Sequence, residues 1–158
     1  MEQYIQPFIK VCESVFREFC QTEVKAGRVY FMDKNNNEES NWDISGIIGL
    51  SGEASGAVAI SLRDVVAFQI TDILTGAEHK TFDADVIDAV GEIINIIAGN
   101  VKKEFQASLR TQISLPSIVK GRGHTIIWPS DKTRIICIPF EIFSDQEILL
   151  SIAVDQTK

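Results

Sequence analysis

Glu92 and Asn95 are the residues whose types and spacing best support chemistry. A carboxylate supplies a fixed negative charge, and a carboxamide both donates and accepts hydrogen bonds. Three residues apart on a helix they are surface neighbours, with Cβ atoms about 5–6 Å apart. Such a pair could hold a cation and a water. Asp88 falls one turn before it and Gly99 one turn after, with Lys102 continuing the line. The plainer reading is of solvated residues on the wet face of an amphipathic helix, the commoner fate of such residues. Two details weigh against it. Asn is a mediocre helix former, here set among isoleucines. Gly99, about 1 kcal/mol worse than Ala in a helix interior, removes bulk on the same stripe, where something can then approach closely.

The element that must position these residues is a long helix from Asp83 to Phe105. At about 100° per residue, Val86, Ile87, Val90, Ile93, Ile94, Ile97, Ala98, Val101 and Phe105 fall in one arc that has to be buried. Asp85, Asp88, Glu92, Asn95, Gly99, Lys102 and Gln106 fall in a narrow polar stripe opposite. An earlier amphipathic helix spans Tyr4 to Phe19, with Pro7 tolerated in its first turn. Arg28 to Met32 reads as a strand, and Asp33 to Asn41 as a polar loop. Ile44–Leu50 and Ala57–Leu62 read as apolar strands joined through Ser51–Gly56. Asp64 can cap a short helix, Val65 to Leu74, which Gly76 can end. After the long helix, Gln112–Lys120 and Thr125–Trp128 are candidate strands, followed by a strong pair at Arg134–Phe143 and Glu147–Val154. A helix followed by strands that finish in an apolar hairpin therefore occurs twice, a weak internal repeat with Ile47–Leu62 answering Ile135–Val154. The implied fold is α+β: one domain over 1–158, in two halves, with an antiparallel or mixed sheet covered by long helices.

Composition excludes several classes of function. The 158 residues carry a net charge of −7, which disfavours nucleic acid and anionic membrane as partners, since both need a basic footprint. The first seven residues include Glu2 and no apolar core of a signal peptide, and no run approaches a membrane span, so a cytoplasmic location is expected. Cys12, Cys20 and Cys137 lack metal-ligand spacing and read as buried free thiols. With only His79 and His124, an imidazole-based metal centre or triad has little to work with, and no metal site is expected. Gly121-Arg-Gly123 lacks the rest of a phosphate-binding pattern, and Ser51, Ser55 and Ser61 have no base at readable spacing.

The run Asp88-xxx-Glu92-xx-Asn95, continuing into Ile96-Ile-Ala-Gly99-Asn100 with Pro116 downstream, resembles the signature of the CheC/CheX/FliY family of CheY-phosphate phosphatases, and most closely that of CheX. Glu38-Glu-Ser-Asn41 matches the short Glu-xx-Asn core as well, but in a polar loop. The resemblance implies hydrolysis of the aspartyl phosphate of a phosphorylated CheY-type response regulator. In that reaction Asn95 would position the attacking water and Glu92 would engage the regulator's active-site lysine. Asp88, Gly99 and Lys102 would line the partner-binding surface. The protein would need no cofactor of its own, Mg²⁺ arriving on the regulator, and would form a homodimer. Some relatives carry a second motif on the earlier helix; here Glu13-Ser-Val-Phe16 stands in its place, which leaves one site per chain. A docking module of the chemotaxis or flagellar switch apparatus, without catalysis, is the alternative.

Overall fold

The computed structural model describes residues 3, 5–35, 40–106, 110–128 and 131–156, the side chains of 105, 106 and 156 excepted. In chain order the elements are α1 (Ile5–Phe19), β1 (Val24–Ala26), β2 (Tyr30–Phe31), β3 (Ile44–Gly52), β4 (Ala54–Leu62), α2 (Asp64–Thr75), α3 (Ala84–Gln106), β5 (Thr111–Ile113), β6 (Ser117–Lys120), β7 (Ile135–Ile142) and β8 (Gln146–Gln156). The strands form one sheet in the order β1-β7-β8-β4-β3-β5, with β2 also on β7 and β6 also on β3. Its pairings are antiparallel.

The repeat seen in the sequence is an exchange of strands between two halves. Each half is a helix, two short strands and a long hairpin, and the short strands of one half pair with the hairpin of the other. Thus β1 and β2 lie along β7, while β5 and β6 lie along β3. The hairpins β3–β4 and β7–β8 meet along β4 and β8, from Ala54 opposite Gln156 to Ser61 opposite Leu149.

Strand alternation explains where the core sits. Ile44, Ile48, Val58, Ile60, Ile136, Ile138, Leu150 and Ile152 point to one face and share a single apolar cluster with residues of all three helices. Each fully buried side chain of this size contributes about 1.5–3 kcal/mol relative to exposure. The other face carries small or polar residues, Ser45, Ala59, Ser61, Cys137 and Ser151, beside the larger Ile135 and Leu149, all buried. That face is covered by irregular chain, with Met32, Trp42 and Trp128 packed on Ile135, Cys137, Leu149 and Ala153.

The structure corrects several local expectations. The strand expected over Arg28–Met32 is reduced to Tyr30 and Phe31, while Val24–Ala26, unread in the sequence, pairs with Phe140–Ile142. The expected connection Ser51–Gly56 is strand except at Glu53, because Ser51 and Gly52 pair with β5 and residues 54–56 with β8. The candidate strand Gln112–Lys120 is two strands: Ser114 is bonded to the Gly49 backbone through both its N–H and its Oγ, and Pro116, which has no N–H to offer, follows in the bend. Thr125–Trp128 is irregular and lies across the sheet instead of joining it. The first turn of α2 draws on two carboxylates: Asp43 Oδ2 accepts from the Asp64 N–H at 2.9 Å and Asp64 Oδ1 from the Val65 N–H at 2.6 Å, while the N-cap position itself is Arg63. Gly76 does end α2, in the left-handed conformation. Tyr4, Glu38 and Glu39 lie outside the described residues, as do the side chains of Phe105 and Gln106. The three cysteines are buried and free.

Candidate functional site

The start of α3 is set by Asp83, whose Oδ1 accepts from the Val86 N–H at 3.0 Å. Its depth is set by Gly46 of β3. A Cβ there would stand 2.8 Å from Ile94 Cγ2 and 3.2 Å from Ile94 Cβ, so the missing side chain lets the helix settle onto the sheet. Val86, Val90, Ile93, Ile94, Ile97 and Val101 are accordingly buried. The opposite side is the expected stripe: Asp88, Glu92 and Asn95 are exposed, while Gly99 and Lys102 are half-buried. A Cβ on Gly99 would meet nothing within 4 Å. Lys103 donates to Asn100 Oδ1 at 3.5 Å, at the helix's last turns.

Among the described residues neither the Glu92 nor the Asn95 side chain has a hydrogen-bond partner, so no side-chain bond to them needs to be broken for either to engage something else. Both stand exposed on the outer ridge of a helix. An exposed ridge cannot enclose a small substrate; it can only complete a concave site brought by a partner. One exposed apolar residue was not read as a site residue. Leu115, at the bend between β5 and β6, is 87% exposed. Further along β6, Ile118 Cδ1 comes within 3.8 Å of the Cβ position of Gly91 on α3, so this strand flanks the helix. Hydropathy alone would have buried Leu115; the Pro that follows it was the signal of a bend.

His79 was also unread. Its ring is buried between α2 and the start of α3. Asp72 Oδ1 accepts from both its backbone N–H (2.7 Å) and its Nδ1 (2.9 Å), while Nε2 faces Asp85 at 3.3 Å and Asp83 at 3.9 Å. The hydrogen bond to Asp72 holds the imidazolium pKa above the ordinary histidine value against the opposing effect of burial, with Asp85 and the charge of Asp83 acting in the same sense. His79, Asp83 and Asp85 each place one ligand atom within 4.8 Å of the others, the one grouping of potential metal ligands among the described residues. The ring already engages these carboxylates, and the group reads as a pin joining α2 to the N-terminal end of the site helix.

Two interlocked helix-and-hairpin halves around one antiparallel sheet are the fold of the CheC-like proteins. The family model for chemotaxis phosphatase CheX matches residues 44–141, well over half the chain and including Glu92 and Asn95, and the chain belongs to that family. It is 24% identical over 110 residues to the CheY-P phosphatase CheX of Thermotoga maritima, covering 68% of this chain and 69% of the relative. The crystal structure of chemotaxis protein CheX from Vibrio vulnificus superposes with a TM-score of 0.86 at 24% identity, covering 97% of this chain and 99% of the other. CheX in the CheX–CheY–BeF3–Mg²⁺ complex from Borrelia burgdorferi gives 0.77 at 24% identity, covering 96% and 97%. No described helix is long and apolar enough to cross a membrane.

Proposed function

We propose that this protein hydrolyses the aspartyl phosphate of a phosphorylated CheY-type response regulator, using the ridge of α3 as the catalytic insert. The observation that carries the reading is the exposed Glu92/Asn95 pair, unpartnered among the described residues, on a helix held rigidly against the sheet. The family assignment and the relatives named for CheY-phosphate hydrolysis and for a CheY complex support it.

An acyl phosphate is intrinsically labile, so the catalyst need not create a strong nucleophile. Placing a water in line with the breaking P–O bond and supporting charge already held by the regulator's Mg²⁺ suffices. Asn95 positions that water through its side-chain amide, as a Gln does in GTPases. Glu92 engages the regulator's active-site lysine and fixes the approach. Asp88, Gly99 and Lys102 line the contact, Gly99 by leaving room. The Mg²⁺ belongs to the substrate; the protein contributes no cofactor.

The same reading takes residues 1–158 as one CheX-like domain acting in the cytoplasm, with neither nucleic acid nor membrane as partner. It also takes the protein as a homodimer formed partly through sheet edges or nearby strands, since β1/β2 and β5/β6 lie at the two ends of the sheet. Phosphate release from a phosphorylated CheY-type receiver domain, with and without this protein, tests the activity. Regulator binding without accelerated release would replace the enzyme with a docking module.

A further inference from the structure

The face of α3 that carries Glu92 and Asn95 is divided by charge. At about 100° per residue, Asp85, Asp88, Glu92, Asn95, Gly99, Lys102 and Lys103 lie within roughly a third of the helix circumference. The acidic residues among them all precede Asn95, and the basic ones all follow Gly99. Asp85, Asp88, Glu92 and Lys103 are exposed, and Lys102 is half-buried. Asp88 and Lys102 are about 21 Å apart along the axis, less than the width of a small domain, so one partner can span both ends.

Nothing in the folding of the helix asks for this arrangement. A solvated helix gains from opposite charges three or four residues apart, yet α3 has no such pair. Instead Asp85 and Asp88, and again Asp88 and Glu92, stand at those spacings with like charge. None of Asp88, Glu92, Lys102 and Lys103 joins an ion pair among the described residues. The helix dipole favours Asp85 in the first turn and Lys103 in the last, but its effect does not extend to Asp88 and Glu92, which lie beyond the first turn. His79 engages Asp85 and leaves Asp88 to solvent. Two neighbouring like charges are thus held on an outer face to the detriment of the helix, and a partner of opposite charge relieves them.

We propose that this division of charge docks the regulator in a single orientation: a basic group beside its active-site lysine lies over Asp88, and an acidic group on the far side of its phosphate lies over Lys102 and Lys103. Turned end for end, the same partner would set like charges against each other at both ends. The ends are further apart than the Debye length of about 8 Å at physiological salt, so each is matched by its own group on the partner. This orientation presupposes α3 as the regulator-binding ridge, as proposed above, and names the charge pattern by which the ridge tells one regulator from another. It holds whether or not hydrolysis follows docking.

The test exchanges the two ends. Asp88→Lys with Lys102→Glu in one chain reverses the pattern and keeps the net charge at −7. Affinity for the CheY-type receiver domain of the same organism, held in its phosphorylated form by beryllofluoride and Mg²⁺, is measured by titration calorimetry for wild type and the exchanged variant. The titrations are made at low salt and at about 1 M salt, where the Debye length falls to about 3 Å. The exchanged variant should bind about tenfold more weakly at low salt, and the two proteins should converge at high salt. Convergence marks a charge effect and not a damaged helix. Melting should stay within a few degrees of wild type, since the exchange replaces the like-charged Asp88 and Glu92 with an opposite pair. Equal affinities at low salt, or a deficit undiminished at high salt, overturn the proposal, and so does a wild-type protein that does not bind. Phosphate release from the phosphorylated receiver separates this from the phosphatase reading. Charge-dependent binding without accelerated release keeps the orientation and removes the enzyme; accelerated release with equal affinities keeps the enzyme and removes the orientation.

Discussion

Gly99 separates the needs of the fold from those of the proposed partner. Nothing lies within 4 Å of the position a Cβ would take there, and the residue sits in the interior of α3. Gly99→Ala should therefore raise stability by the difference in helix propensity, about 1 kcal/mol, which for a chain of this length is a melting temperature higher by about 2–4 °C. Gly99→Phe keeps the structural permission, since the space is open, but fills the gap one turn beyond Asn95. It should leave melting within a few degrees of wild type while weakening regulator binding by about tenfold or more, as a clash at an otherwise close approach would. Scanning calorimetry and a binding titration against a CheY-type receiver domain measure the two effects. A lower melting temperature for Gly99→Ala would mean that the position is not open. Wild-type regulator binding by Gly99→Phe would mean that the stripe is not the contact surface.

Other outcomes follow from the same geometry. The His79 pKa is raised by the hydrogen bond to Asp72, with Asp85 and Asp83 also raising it, so its contribution to stability is complete below the unfolded-state histidine pKa and fades as pH rises through the raised native value; melting curves across that range should flatten in His79→Gln, and EDTA should leave wild-type melting unchanged if no metal fills the group. Gly46→Val drives a side chain into the β-branched Ile94, which cannot swing away, and should cost about 1–3 kcal/mol by chemical denaturation; a neutral result would mean that α3 does not rest on Gly46. Light scattering should give twice the 17.6 kDa chain mass, and a monomer mass at micromolar concentration would contradict the homodimer.

The parts of the fold legible in the sequence were those governed by one strong period. The apolar arc of α3 and the alternation in β3, β4, β7 and β8 each have enough residues for the pattern to exceed the noise of single side chains. The polar stripe followed from the same arc, so the exposure of Asp88, Glu92 and Asn95 was expected. What stayed illegible depends on contacts distant in sequence. Val24–Ala26 is a strand only because β7 offers it an edge, and Thr125–Trp128 has strand-like residues but no edge to join. Asp43 serves α2 from across the hairpin, which no local capping rule can reveal. The comparison of Glu13-Ser-Val-Phe16 with the motif also has its limit in packing: Phe16 is wholly buried and Asn95 exposed, so these two positions do not share a face. The hydrogen bonds of His79, and those of Ser45 with Ser61 and His124, join residues from different elements, and no spacing announces them.

The central claim is that Asn95 places the water and Glu92 grips the regulator. The most direct measurement is single-turnover dephosphorylation of a phosphorylated CheY-type receiver domain at saturating protein, with wild type, Asn95→Ala and Glu92→Ala compared for rate, regulator affinity and melting temperature. Asn95→Ala should slow the reaction by about 10²–10³-fold, the scale for losing one preorganised group in the transition state. Its regulator affinity should be near wild type, and its melting temperature unchanged or slightly raised, since the side chain has no described partner and Ala is the better helix former. Glu92→Ala should lower affinity as well as rate. Dephosphorylation at the wild-type rate by a folded Asn95→Ala protein would contradict the account.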